Sequence, residues 1–506
     1  MLKTAMMFKD GMVLQRDKKI AVWGTIEPGA KVCVSMQGME SCTKAGEDGK
    51  WRAICGPYRT SQKEEMVIVS GGDTLRIRDV AVGEVYLAGG QSNMEFPMRF
   101  EAHLAEEKKN RDDLIRFFDY PEVAYPEQLD EADYSVHYGI WRRCAPDQIE
   151  RFSAVGYYFA KALRSRYDVP IGIIGCNWGG TPACAWMSEE AIRGCGGEVW
   201  LEDYQAAIRD LDLEKYTSEF KGNPWNYKTD LASDLMFEIL ETGYTSDVIL
   251  EKVDAAGFNY ALNPPMGPYS ERRPTGLYHS MLCQVAPYGI RGVIWYQGEA
   301  DDEKSGIYHR IFPALIRNWR ELWAEELPFL FVQIAPFAHW LACRGTWYPN
   351  VRAVQQWTAD NVANTAMAVI TDCGCDWDIH PKNKRPVGER LALLAEHYVY
   401  GEDVLCEAPR MREFDVEKGK ITLRFEHAGE GLQLDGNRLD SLEIYQDGYL
   451  VDYDSCSAAG DTVCVFGSKI CPDLPTEVRL ACTEYHNVNL KNSAEIPARP
   501  AIVHSR

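Results

Sequence analysis

Hydrophobic and polar positions along the chain follow three successive rhythms. Up to about residue 82, short apolar or alternating runs (Ile20-Ala-Val-Trp-Gly, Lys31-Val-Cys-Val-Ser-Met, Met66-Val-Ile-Val-Ser) are punctuated by Pro28-Gly29, Gly46-Glu-Asp-Gly49 and Gly71-Gly72-Asp73. Several short strands separated by turn residues predict a small β-sandwich. From Gly83 to about Gly401, apolar strand candidates at 80–88, 171–175, 292–296, 329–334 and 366–370 alternate with helical candidates at 153–167, 308–323, 351–362 and 387–400. Short apolar strands alternating with longer amphipathic segments indicate a largely parallel sheet covered on both faces. The acidic, aromatic stretch from Gly196 to Pro265 reads as an insertion of helices and loop. After about Cys406 the β pattern returns in Lys420-Ile-Thr-Leu-Arg-Phe, Ser441-Leu-Glu-Ile-Tyr and Thr462-Val-Cys-Val-Phe. The expected class is α/β, with a sandwich-like β-domain at 1–82, an α/β domain at 83–404 and a β-domain at 405–506.

A chain of 506 residues with 46% hydrophobic content is too long for a single core. Its 75 acidic against 54 basic residues give a net charge of −21, which disfavours nucleic acid and anionic membrane surfaces. No run approaches the ~20 apolar residues of a membrane span. The first residues, Met-Leu-Lys-Thr-Ala-Met-Met-Phe, lack a signal-peptide pattern, so a cytoplasmic location is expected. The 16 cysteines show no Cys-x-x-Cys pair, the closest spacing being Cys373-Gly-Cys375. Reduced, mostly buried thiols are therefore expected rather than a disulfide framework, with no metal site and no cofactor. Nothing in the sequence decides between a monomer and a homodimer.

Ligands of an open parallel sheet bind outside the carboxyl ends of its strands, so the residues that follow each strand matter most. After the first comes Gly89-Gly90-Gln91-Ser92-Asn93-Met94. Successive glycines permit a sharp strand-to-helix turn that exposes the serine, the logic of a nucleophile elbow. A motif this short also fits an ordinary polar loop. The next strand ends in Trp178-Gly179-Gly180-Thr181-Pro182, where N–H groups can face a developing negative charge. The third ends in Trp295-Tyr-Gln297-Gly298-Glu299, and the last in Asp372-Cys-Gly-Cys-Asp376-Trp-Asp378-Ile-His380-Pro381. Serine, glycine turn, amide and acid–histidine cluster form the inventory of an acyl-transfer hydrolase. Glu299 fits a helix cap better than a catalytic role. His279 is the rival histidine, and Trp178, Trp186, Trp295 and Trp377 read mostly as core, with one or two of them open as a sugar-stacking wall.

In this order the blocks Gly90-Gln-Ser-Asn-Met94, Trp178-Gly-Gly-Thr-Pro182, Trp295-Tyr-Gln-Gly-Glu299 and Asp378-Ile-His-Pro381 resemble those of the sialate O-acetylesterase family of the SGNH hydrolase superfamily. Gly11-Met-Val-Leu-Gln-Arg16, Val82-Gly-Glu-Val85, Arg273-Pro-Thr-Gly-Leu-Tyr278 and the tail from Asn489 to Pro500 are also similar, so the resemblance covers nearly the whole chain. It implies a flavodoxin-like α/β/α domain flanked by β-domains and metal-free removal of O-acetyl groups from sugars. By position, Ser92 is the nucleophile, His380 the general base, and Ser92, Gly179 or Gly180 and Gln297 the oxyanion donors. Gln91, Trp178, Glu299, His279 and Arg273 are weaker substrate-contact candidates. Many SGNH enzymes place the acid three residues before the histidine, where this chain has Trp377. That leaves Asp378, Asp376 and Asp372, in that order, or a Ser–His dyad. The family is often secreted; the expected cytoplasmic location points instead to imported, partly acetylated sugars. The substrate stays open between sialic acids and plant-type oligosaccharides such as acetylated xylan fragments. A lipase or thioesterase on the same scaffold and a non-catalytic carbohydrate-binding protein are the alternatives.

Overall fold

The computed structural model describes all residues except 132, 135–137, 223–237, 256–264 and 506. The chain is a mixed α/β protein with two compact units. The first comprises Met1–Tyr244, Val248–Gln297 and Arg310–Phe329; the second comprises Thr245–Asp247, Gly298–His309 and Leu330–Arg506.

The first unit is organised by one long strand, β1 (Asp73–Gly90). It pairs antiparallel with Ser61–Ser70 from Asp73 to Val82 and parallel with Val13–Gln15 at Ala81–Gly83, and it is buried at every residue from Val80 to Gly90. The expected boundary at 82 thus falls inside a continuous strand. Around it lie β2 (Asp112–Asp119), β3 (Trp141–Cys144), β4 (Ile171–Asn177) and β5 (Gly292–Tyr296), in the order β3-β2-β4-β1-β5. The β2-β4-β1-β5 pairings are parallel, and β3 adds an antiparallel edge. Strand β4 is buried along its whole length, as a strand covered on both faces must be. Buried Glu84 ties the N-terminal segment to the sheet, accepting from Arg16 Nε at 2.5 Å, Gln15 Nε2 at 3.0 Å and Arg291 Nε at 2.7 Å.

Strands β2 and β3 escape the sequence reading because Asp112, Asp113, Arg116 and Asp119 interrupt the apolar run. Arg116 is nevertheless buried, donating to the Gly11 carbonyl at 2.8 Å and the Asp79 carbonyl at 2.6 Å. A charge that looks solvent-facing in sequence is there a bracket between segments 105 and 37 residues away. The helix Ala154–Arg166 falls close to its expected place, capped by Ser153 Oγ, which accepts the Gly156 N–H at 3.0 Å.

In the second unit, strand Thr365–Ala368 and helices Tyr348–Asn361 and Arg385–Tyr398 precede two four-stranded antiparallel sheets. Lys420–Glu426 alternates buried and accessible positions with period two. Ile421, Leu423, Ile444, Val463, Val465, Val478 and Leu480 from the two sheets share one core. The closing segment is tied to the end of the Thr365–Ala368 strand: Thr371 Oγ1 donates to the Ala498 carbonyl at 2.9 Å, and its carbonyl accepts the Val488 N–H at 3.1 Å.

One expectation is corrected. Cys33 and Cys42 form a disulfide, because the hairpin Lys31–Met36/Met39–Lys44 sets them directly opposite one another, 4.1 Å apart at Cα. The spacing resembles no short cysteine motif; pairing register alone brings the two together. The other 14 cysteines are free. No helix among the described residues is long and apolar enough to cross a membrane.

Candidate active site

Strand β1 ends in a turn that only glycine permits. Gly90 has φ +135°, and a Cβ there would sit 2.1 Å from the Tyr296 carbonyl oxygen; one on Gly89 would sit 2.7 Å from the Trp319 ring. The chain then enters a one-turn helix, Ser92–Glu95, with Gln91 as its N-terminal flank. The Gln91 N–H donates to Tyr296 at 3.0 Å, and its carbonyl accepts from Met94 and Glu95 at 2.8 and 3.0 Å. Ser153 Oγ donates to the Met94 carbonyl at 2.6 Å and braces the turn from the start of the helix Ala154–Arg166. Ser92 is half-buried at the start of this helix, while Gln91 and Asn93 on either side are buried.

The turn after β4 packs against this elbow. Asn177 Nδ2 donates to the Ala88 carbonyl at 3.0 Å and the Trp178 N–H to Gly90 at 3.2 Å. A Cβ on Gly179 would lie 3.2 Å from the Ser92 Cβ, so the glycine is needed for close approach. Gly180 is exposed with φ +71°. Thr181 Oγ1 donates to the Trp178 carbonyl at 2.7 Å and accepts from Trp186 Nε1 at 3.0 Å. Gln297 Nε2 donates to the Thr181 carbonyl at 3.2 Å, which uses one of the two N–H bonds of that amide. Elbow, glycine turn and Gln297 therefore form one hydrogen-bonded cluster in the first unit.

Of the weaker candidates in this unit, Trp178 is buried, as are Trp186 and Trp295, which leaves the three as framework. Arg273 is half-buried and donates from Nη2 to the Ala124 carbonyl at 3.2 Å. His279 is exposed, on the segment Tyr278–Leu282, and desolvation together with Arg273 lowers its pKa.

The second unit holds the acid–histidine loop. His380 is buried, with its ring edge-on to Trp340 at 5.2 Å between centroids. Asp378 is buried too, and its carboxylate reaches the histidine through the main chain: Oδ1 accepts the His380 N–H at 2.8 Å, while Oδ2 pairs with Lys382 Nζ at 3.1 Å. Asp376 is exposed, and its carbonyl accepts the N–H groups of Ala338 and His339 at 3.2 and 2.9 Å. Asp372 faces Arg390 in a bidentate pair at 2.7 and 2.8 Å, with Lys491 at 3.3 Å. Glu299 is buried at the start of the short helix Glu299–Lys304. Burial pushes the Cys373 thiol up to about 12 and raises that of Cys375, so neither is a ready thiolate.

Asp372 carries a stability prediction. Burial raises its pKa, but the hydrogen bonds and charge of Arg390 outweigh this and hold the carboxyl below its ordinary value. A depressed folded-state pKa stabilises above the unfolded value and is lost as pH falls through the folded one, so this contribution fades in acid below about pH 4. Asp372→Asn removes one partner of a buried pair and is expected to cost about 3–5 kcal/mol near neutral pH. Denaturant melts of both proteins at pH 7 and pH 3 check this: the gap must narrow in acid.

Three residues absent from the sequence reading enter here. Glu95 accepts the Gly179 N–H, Trp340 packs on His380, and Lys382 pairs with Asp378. Only the Asp378/Lys382 spacing of four residues leaves a trace in the sequence; the others depend on chain segments that pairing brings together.

A glycine-bent strand end carrying a serine, beside a second glycine turn and an amide, brings together groups that acyl transfer can use. The chain is similar to several known proteins. The family profile "Carbohydrate esterase, sialic acid-specific acetylesterase" matches residues 269–395. The sialate O-acetylesterase of Mus musculus is 26% identical over 479 residues, covering 86% of this chain and 81% of that protein. The Homo sapiens sialate O-acetylesterase is 25% identical over 454 residues, covering 82% and 75%. The crystal structure of a carbohydrate acetylesterase from Xanthomonas citri is 29% identical, covers 99% of both chains and superposes with a TM-score of 0.75. The resemblance to the sialate O-acetylesterase family thus extends from short motifs to most of the chain.

Proposed function

We propose that this chain is a carboxylic ester hydrolase that removes O-acetyl groups from sugars, sialic acid or another acetylated carbohydrate, through an acetyl-enzyme. The support that carries most weight is the end-to-end similarity to a carbohydrate acetylesterase. On this reading, residues 83–404 make a flavodoxin-like domain of the SGNH kind, with β-domains at 1–82 and 405–506.

Ser92 Oγ attacks the acetyl carbonyl carbon and passes its proton to the His380 imidazole, because a serine hydroxyl is a weak nucleophile without a base. The tetrahedral intermediate collapses with cleavage of the acyl C–O bond, and the imidazolium returns the proton to the departing sugar oxygen. Water then attacks the acetyl-enzyme with His380 again as base; acetate leaves and Ser92 regains its proton. The Ser92 N–H, an N–H of the Gly179-Gly180 turn and the Gln297 amide stabilise the oxyanion. Asp378 serves the base by fixing its main chain and drawing in Lys382. The exposed His279 contacts the sugar.

Gln297→Ala is expected to lower kcat by ~10²–10³-fold, the usual loss when one oxyanion donor is removed. Because that interaction strengthens as charge develops, KM should barely move. A change confined to KM would instead make Gln297 a ground-state sugar contact. The proposal as a whole is tested by assaying O-acetylated sialic acid, acetylated xylan oligosaccharides, a long-chain p-nitrophenyl ester and an acyl-CoA with wild type and Ser92→Ala. Serine-dependent release of acetate from the sugars supports it, and activity restricted to the long-chain ester or the acyl-CoA overturns it.

A further inference from the structure

The glycine turn offers two N–H groups to the oxyanion, and they are not equivalent. The Gly179 N–H donates to Glu95 Oε2 at 2.7 Å, a charge-assisted bond of the strong kind. Glu95 sits three residues after Ser92, at the other end of the same short helix, so the elbow itself supplies this acceptor. The contact is tight on both sides: a Cβ on Gly179 would lie 3.2 Å from Glu95 Oε2 and 3.2 Å from the Ser92 Cβ. Beyond it, Gly180 is exposed, a Cβ there would meet nothing within 4 Å, and among the described residues its N–H donates to no protein acceptor.

From this geometry we infer that Glu95 is a positioning residue for the oxyanion hole, holding the turn by its Gly179 N–H so that Gly180 is the turn's donor to the developing oxyanion. The inference rests on the serine-esterase reading above and adds to it the identity of the donor and of the group that aims it. An N–H committed to a carboxylate has no second proton for an oxyanion. Meanwhile the bonds from Trp178 N–H to Gly90, from Thr181 Oγ1 to the Trp178 carbonyl and from Gln297 to the Thr181 carbonyl engage the residues on either side but not Gly179 itself. Glu95 is the contact that sets the middle.

Two substitutions of similar size separate this role from bulk packing. Glu95→Gln keeps an oxygen that accepts the Gly179 N–H, whereas Glu95→Met fills the space without an acceptor. Glu95→Met is expected to lower kcat on an acetylated sugar by on the order of 10²-fold, the scale of a 1 Å misplacement in an active site, with KM nearly unchanged. Glu95→Gln is expected to recover most of that loss, with the wild-type pH profile of kcat/KM, because Glu95 moves no proton. Equal damage in both variants, a shifted pH profile in Glu95→Gln, or full turnover in Glu95→Met overturns the inference. Melting temperatures of both are read alongside, and a loss in Glu95→Met that follows its unfolding rather than kcat also counts against it. Ser92→Ala is run in parallel: turnover surviving there overturns the parent reading, whereas an inactive Ser92→Ala with a fully active Glu95→Met overturns the Glu95 assignment alone.

Discussion

Ser92→Ala is expected to lower turnover on acetylated sugars by on the order of 10⁶-fold, the scale seen when a serine nucleophile is removed from a triad-type site. The melting temperature should stay within a degree or two, roughly the spread of a surface substitution. The two halves of this expectation have separate causes. Ser92 is half-buried, so deleting its hydroxyl opens no cavity in a packed core. The backbone around it is held by Gly90, by the Gln91–Tyr296 bond and by Ser153, none of which uses the Ser92 hydroxyl. Without Oγ, no acetyl-enzyme forms, and the remaining rate comes from oxyanion stabilisation of direct water attack. Acetate release under single-turnover conditions, with a thermal melt of the same sample, measures both. Near-normal deacetylation by the alanine variant would remove the nucleophile from the mechanism.

His380→Ala should be as damaging, and the double variant Ser92→Ala/His380→Ala should be no worse than either single one. Residues that act as one catalytic unit are strongly non-additive, because the second loss has nothing left to remove. The control is His279→Ala. If its exposed side chain is the sugar contact proposed above, His279→Ala should shift KM and leave kcat nearly intact. If instead His279→Ala abolishes turnover and His380→Ala does not, the base is His279. If the Ser92 and His380 losses multiply, the two act independently and the mechanism above fails. His380→Ala removes a buried ring packed on Trp340, so its melting temperature must be read before its rate.

Much of the architecture was legible in the chain because it rests on local periodicity. The apolar runs at 171–175 and 292–296 became Ile171–Asn177 and Gly292–Tyr296, and the helical pattern at 153–167 became Ala154–Arg166. Strands buried on both faces write a continuous apolar run, and a capped helix writes its serine. The strand Asp112–Asp119 wrote neither, since its charged Arg116 is buried with its donors satisfied by carbonyls from distant segments. The Cys33–Cys42 bond was equally invisible, because hairpin register rather than spacing set it.

At the site the same division holds. The order of the four blocks, the glycines that bend the chain at Gly90 and Gly180, and the chemical inventory of serine, amide and histidine were determined by the sequence alone, because each depends on residue type next to a strand end. Which carboxylate serves which partner was decided only by tertiary structure. Asp372, Asp376 and Asp378 lie within seven residues and look interchangeable, yet one is committed to Arg390, one is exposed, and one holds the His380 main chain. A carboxylate's role is fixed by the cation or N–H that reaches it, and for Asp372 that cation comes from a helix 18 residues away. Glu95 makes the same point in the first unit: its partner Gly179 is 84 residues distant, and only the parallel pairing of the Asp73–Gly90 and Ile171–Asn177 strands brings the two turns together.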